Sequence, residues 1–173
     1  KVGNANPVFM MGWDHTFSYK GFTLYFLLDW RYGGKVLSQT QAEMDLYGVS
    51  EITADARDRG YVMLDGQRID DVKGFYKIVG GRAGVTEYYM YDATNLRLRE
   101  VSLNYNFSKK WIQKTKVLKD VQLSFVARNL CFLYKKAPFD PDLVLSTGND
   151  NQGIEVFGMP TTRSLGFTLK CEF

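Results

Sequence analysis

FMMGWDHTFSYKGFTLYFLLDWRY, residues Phe9 to Tyr32, carries a bulky side chain at every second position. Phe9, Met11, Trp13, His15, Phe17 and Tyr19 alternate with Met10, Gly12, Asp14, Thr16 and Ser18. After Lys20-Gly21 the stripe resumes as Phe22, Leu24, Phe26, Leu28, Trp30 and Tyr32, opposed by Thr23, Tyr25, Leu27, Asp29 and Arg31. A period of two is the spacing of one face of a β-strand. A two-residue hairpin loop sets the residues that flank it opposite each other on one face, so Tyr19 and Phe22 point the same way. The two apolar stripes therefore merge into one surface without a register slip.

Three more strands repeat the pattern. Val101, Leu103, Tyr105 and Phe107 alternate with Ser102, Asn104 and Asn106; Val121, Leu123, Phe125 and Ala127 alternate with Gln122, Ser124 and Arg128, Val126 being the exception. Leu165, Phe167, Leu169, Cys171 and Phe173 alternate with Ser164, Gly166, Thr168, Lys170 and Glu172. Strands are thus predicted over about 8–19, 22–32, 96–107, 121–134 and 163–173. Their connections alternate in length: two residues, about sixty, about a dozen, nearly thirty. A soluble antiparallel sandwich also alternates its side chains, but has no reason to sort its loops this way. A bacterial outer-membrane barrel does, with short periplasmic turns and long outer loops. If the chain ends in the periplasm, parity puts Lys20-Gly21 and 108–120 there, and the segments 33–95 and 135–162 outside.

Composition agrees. Aromatic residues make up 15% of the chain, with 11 Tyr and 12 Phe, and membrane barrels concentrate them in girdles at both interfaces. Tyr19, Phe22, Tyr105, Phe107 and Phe173 fall at the predicted periplasmic rim, and Phe9, Trp30 and Tyr32 at the outer one. No apolar run reaches the roughly 18 residues of a membrane helix. His15 is the misfit in the apolar stripe: either it is neutral near the periplasmic interface or a bulge turns it inward. The reading is all-β, an antiparallel transmembrane β-barrel. The chain begins at Lys1 without an initiator Met or a secretory signal, so either the mature N-terminus lies there or the chain is a fragment; the strand count favours a fragment.

Chemistry-bearing motifs are missing from this sequence. Cys131 and Cys171 lack metal-ligand spacing, a single His15 completes no site, and no P-loop, nucleophile elbow or zincin pattern occurs. Gly80-Gly81-Arg82-Ala83-Gly84 lacks a strand-to-helix context and reads as a flexible loop. Asp140, Asp142 and Asp150 lack the alternation and closing Glu of a calcium loop. Lys109, Lys110, Lys114, Lys116 and Lys119 crowd one predicted periplasmic connection, as a solvated turn or a contact with anionic headgroups. No enzyme activity, metal, cofactor or nucleic-acid partner is expected.

Four blocks carry a family resemblance. Tyr19-Lys20-Gly21-Phe22 with Leu28-Asp29-Trp30-Arg31-Tyr32-Gly33-Gly34 resembles the late-barrel hairpin of SusC/RagA-type TonB-dependent transporters. So do Asn95 to Tyr105 (NLRLREVSLNY), Ala127-Arg128-Asn129-Leu130 followed by Asp140-Pro141-Asp142, and Pro160-Thr161-Thr162-Arg163 opening the last strand. Asp142 stands where the family more often has Glu, and Gly166 lies further from the C-terminal aromatic than is usual. The resemblance implies the last five strands of a plugged barrel of about 22 strands. It implies an integral outer-membrane importer of glycans or oligopeptides, with loops outside and the C-terminus in the periplasm. Partners implied are the preceding plug and strands of the same transporter, a SusD-like surface lipoprotein, the TonB complex and membrane lipid. The alternative is a soluble or surface carbohydrate-binding sandwich.

Ligand or partner contacts are expected in the outer segments or on the polar faces. Tyr88, Tyr89 and Tyr91 form an aromatic cluster suited either to stacking on sugar rings or to loop packing. Arg97 and Arg99 enter their strand on the face opposite Leu96 and Leu98.

Overall fold

The computed structural model describes residues 3–108, 112, 117–143, 145 and 151–172. Phe173, Asp150 and Lys109, Lys110, Lys114 and Lys116 lie outside the described residues, and with them most of the lysine-rich connection. In chain order the elements are β1 (Phe9–Tyr19), β2 (Phe22–Tyr32), β3 (Lys35–Ser38), α1 (Gln39–Tyr47), α2 (Glu51–Arg59), β4 (Val62–Leu64), β5 (Gln67–Ile69) and α3 (Val72–Val79). A 3₁₀ turn at Thr86–Tyr89, β6 (Met90–Asp92), β7 (Asn95–Asn106), β8 (Asp120–Lys135), β9 (Ile154–Glu155) and β10 (Ser164–Glu172) follow. The chain divides into two compact units: Phe9–Tyr32, Thr94–Lys135 and Thr161–Phe173 form a sheet unit, and Lys1–Val8, Gly33–Ala93 and Lys136–Pro160 a mixed one.

The sheet unit is five antiparallel strands in the order β1-β2-β7-β8-β10, an open sheet. Its first turn shows why Lys20-Gly21 is a hairpin. Lys20 has φ 46° and Gly21 φ 87°, and positive φ at both central residues is the type I′ turn that matches strand twist. Gly21 is required twice over, because a Cβ there would meet the Asn106 carbonyl oxygen at 2.7 Å. That close approach lets Asn106 N donate to Gly21 O at 2.8 Å, tying the turn to the end of β7.

Register turns the sequence stripes into rows. Phe17, Leu24, Leu103, Phe125 and Phe167 are successive partners across all five strands, as are Tyr19, Phe22, Tyr105, Leu123 and Leu169. On the other face the same strands align Ser18, Thr23, Asn104, Ser124 and Thr168. The apolar rows are exposed: Phe17 is 54% accessible, Leu169 65% and Phe167 78%. Over the nine residues of β10, five strands about 4.8 Å apart rising about 3.3 Å per residue make a face of roughly 700 Å². Soluble monomers seldom expose a contiguous apolar patch above about 300–600 Å². His15 stays in the apolar row with Phe26, Val101, Ala127 and Leu165, so no bulge turns it inward. Its ring lies 4.3 Å from that of Phe17.

The mixed unit is where the structure adds most to the sequence reading. The long segment after Tyr32, read as a connection, holds three α-helices and its own core of Ala42, Ala56, Val62, Val72, Phe75, Tyr76, Val79 and Tyr89. The helices are locally specified. Ser38, Ser50 and Asp71 cap α1, α2 and α3 by accepting from the amides of Gln41, Thr53 and Gly74. Gly48 and Gly60 close α1 and α2 in the left-handed conformation. α3 buries Val72, Phe75, Tyr76 and Val79, the i, i+3, i+4, i+7 stripe of an amphipathic helix. Gly80 and Gly81 follow α3 directly, with Gly81 N donating to Ala42 O at 2.8 Å. A small sheet orders β6-β3-β9, with β3 antiparallel to β6 and parallel to β9.

Candidate functional site

In the sheet unit the polar face carries a short ladder of charges where the strands bulge. β2 and β7 slip register between Leu27 and Leu28, and β7 and β8 slip between Leu98 and Glu100. The sequence cue is the three-residue step from Leu98 to Val101, which breaks the two-residue stripe. An extra residue in one strand re-aims side chains locally, and Arg99 is that residue. Its Nε and Nη2 both reach Asp29 Oδ2 at 2.8 Å. Next to it Arg128 Nε donates to Glu100 Oε2 at 2.9 Å. Arg97 faces Asp29 and Phe132 in register and lies with its guanidinium carbon 4.0 Å from the Phe132 ring centre. It is 2% exposed, so it is a packed cation stacked on an aromatic face. Arg97 and Arg99 thus lie on one side of the sheet with Asp29 and Glu100. The opposite side at this level is Leu28, Leu96 and Leu98.

The three tyrosines belong to the mixed unit, and the fold treats them differently. Tyr89 is buried at 1% exposure and donates from its hydroxyl to Asp45 Oδ2 at 3.1 Å. Tyr88 sets its ring edge-on to Phe75 at 5.7 Å, and Tyr91 does the same to Phe139 at 5.3 Å. Tyr88 keeps an exposed flank, Tyr91 is half-buried, and Tyr89 offers no face to solvent.

Two buried carboxylates organise this unit. Asp45 Oδ1 accepts from Gln41 Nε2 at 2.7 Å and from Ser50 Oγ at 2.5 Å, while Tyr89 occupies the other oxygen. Glu155 Oε2 accepts from Ser38 Oγ at 2.8 Å, and its Oε1 accepts from Thr40 Oγ1 at 2.6 Å and Gly158 N at 3.2 Å. Buried charges persist only with such partners. The surrounding phenols feel both the burial and the charge. Burial first, then Tyr88 and Asp45, pushes the Tyr76 hydroxyl up to about 12. Burial, with Asp45 second, raises Tyr89, Tyr88 and Tyr91 as well. The Tyr89 phenol donating to a fixed carboxylate makes a structural clasp, not an acid–base pair poised near neutral pH. Among the described residues no group of three His, Cys, Asp or Glu side chains is placed to hold a metal ion. Cys131 and Cys171 are free thiols.

Sequence reasoning missed Asp45 and Glu155. The Ser50 cap beside Asp45 was readable, but partners 44 residues away at Tyr89 and 117 away at Ser38 were not.

No family model matches the sequence. One curated relative, TonB-dependent receptor P3 of Formosa agariphila, is 25% identical over 178 residues, covering 99% of this chain and 17% of that protein. The fold matches the solved RagAB peptide importer in its open-open and closed-closed states, each with a TM-score of 0.70 at 16% identity. Those matches cover 98% of this chain and 17% and 18% of theirs. The chain therefore spans about a sixth of the length of the proteins it resembles. The chain is thus similar in sequence to a curated TonB-dependent receptor and in fold to the solved RagAB importer, in line with the resemblance carried by the four short motifs.

Proposed function

We propose that this chain forms the last five strands of a closed, plugged outer-membrane barrel of about 22 strands, and that the whole protein is a TonB-energised importer. The observation that carries this reading is the row structure of the sheet. Five-residue apolar rows lie exposed on one face and a five-residue polar row lies on the other. In a bilayer the apolar rows meet acyl chains, and the polar row and the Arg–Asp ladder meet a hydrated, plugged lumen. Length fits too. The 11 residues of β1 span about 36 Å, or about 25 Å of bilayer at a tilt near 45°, the height of the apolar band of such barrels. Closure pairs the outer edges of β1 and β10 with strands outside this chain, removing two edges that would otherwise template aggregation.

The segments 33–95 and 135–162 then lie outside the cell, and the turn at Lys20-Gly21 and the end of the chain lie in the periplasm. A SusD-like lipoprotein closes over the outer side, and the TonB complex acts through the preceding part of the transporter. The cargo is a glycan or an oligopeptide; RagAB itself is a peptide importer. The test is purification from outer membranes, with mass spectrometry of what accompanies the protein. The expected result is a detergent-dependent complex with a lipoprotein and a bound oligosaccharide or oligopeptide. A protein that stays soluble and monomeric without detergent contradicts the proposal.

A further inference from the structure

Beyond import itself, one pocket in the mixed unit has the chemistry of a binding site. It opens between the end of α1, the middle of α2 and the first turns of α3. It encloses about 240 Å³, and its lining includes Leu46, Tyr47, Val72 and Tyr76 with the cations Arg57, Lys73 and Lys77. Asp45 also lines it, but its two oxygens are engaged by Gln41, Ser50 and Tyr89. Three cations thus face one internally satisfied carboxylate.

Among the described residues the three cations have no partner of opposite charge. Lys73 and Lys77 are four residues apart on α3, one turn above the other, a like-charge spacing that opposes helix formation. Both are exposed, and among the described residues neither is in an ion pair. Arg57 Nη1 donates to the Gly48 carbonyl at 2.7 Å, which anchors the guanidinium at the pocket, and among the described residues its other donors have no side-chain partner. Arg forks suit carboxylates, and lysines add point charges around them. The apolar floor of Leu46 and Val72 and the ring of Tyr47 suit a small body behind the charge.

We infer that this pocket binds the carboxylate of a single sugar- or amino-acid-sized residue, with Arg57, Lys73 and Lys77 as its anion contacts. An acidic sugar and a peptide C-terminus present the same group. The inference does not rest on the import reading, since the pocket lies within one unit and needs no membrane.

Calorimetric titration of the purified protein in detergent tests it with two matched pairs: galacturonate against galactose, and N-acetylalanine against its amide. At least one acid should bind, and its neutral twin should not; which acid binds identifies the source of the carboxylate. Lys73→Ala with Lys77→Ala should weaken the acid about tenfold per lysine, without changing the melt. Arg68→Ala, an exposed cation of the same unit paired with Asp70, should leave binding unchanged. Binding should also weaken as salt is raised. Equal binding of acid and neutral twin, no binding of either acid, or full binding after removal of both lysines overturns the site.

Discussion

Asp45 is the residue on which the mixed unit turns. It is 1% exposed yet holds three donors, and each donor removed leaves a buried charge less satisfied at a cost of roughly 1–3 kcal/mol. Tyr89→Phe keeps the ring and deletes only the hydroxyl. Amides of α1 should then exchange about 5- to 150-fold faster in the assembled protein, the range that cost implies. Unchanged exchange would mean that the Tyr89 hydroxyl contributes nothing to holding α1. The raised phenol values give a second residue-scale expectation. A group whose folded-state value is raised contributes stability that is whole below its unfolded value and lost as pH climbs through the folded one. For Tyr76 that window runs from 10.0 to about 12. Tyrosinate absorbance should therefore lag behind free tyrosine and rise together with loss of α3 protection. Smooth titration of every phenol near its ordinary value, with the helices intact, would contradict the buried clasp.

At the scale of elements, β8 carries the sharpest contrast. Phe125 stands between Leu103 and Phe167, and its neighbour Ser124 between Asn104 and Thr168. An arginine on the lipid face near the bilayer midplane costs roughly 2–4 kcal/mol, while one on a hydrated face costs little. Phe125→Arg should impair barrel assembly or lower its heat stability on gels, and Ser124→Arg should assemble nearly normally. Equal damage would point to a core buried on both sides. These strands were legible because a period of two survives in eleven consecutive residues and the turn chemistry fixes its phase. The bulge at Arg99 was visible only as a broken stripe, and its consequence, the ion pair with Asp29, needed the neighbouring strand. The helices were a different failure. Val72, Phe75, Tyr76 and Val79 form a plain helical stripe with a capping Asp71 before it. They sit inside a stretch that reads as a connection because the strand signal on either side is stronger. Tyr88, Tyr89 and Tyr91 could be read as a cluster from spacing alone, but which ring packs inward depends on Asp45 and Phe139, which local sequence does not connect to them.

For the whole molecule the central claim is that one face of the sheet meets lipid and the other a hydrated lumen. The free thiols Cys131 and Cys171 are first replaced by Ala, and single cysteines are then placed at Phe167 and Thr168. These adjacent residues of β10 share depth and backbone but lie on opposite faces, opposite Phe125 and Ser124. A fluorophore at each site, in the protein assembled in bilayers containing spin-labelled acyl chains, reports contact with lipid directly. Strong quenching is expected from position 167 and little from position 168. Equal quenching at the two positions, or stronger quenching at 168, would contradict the assignment of the faces.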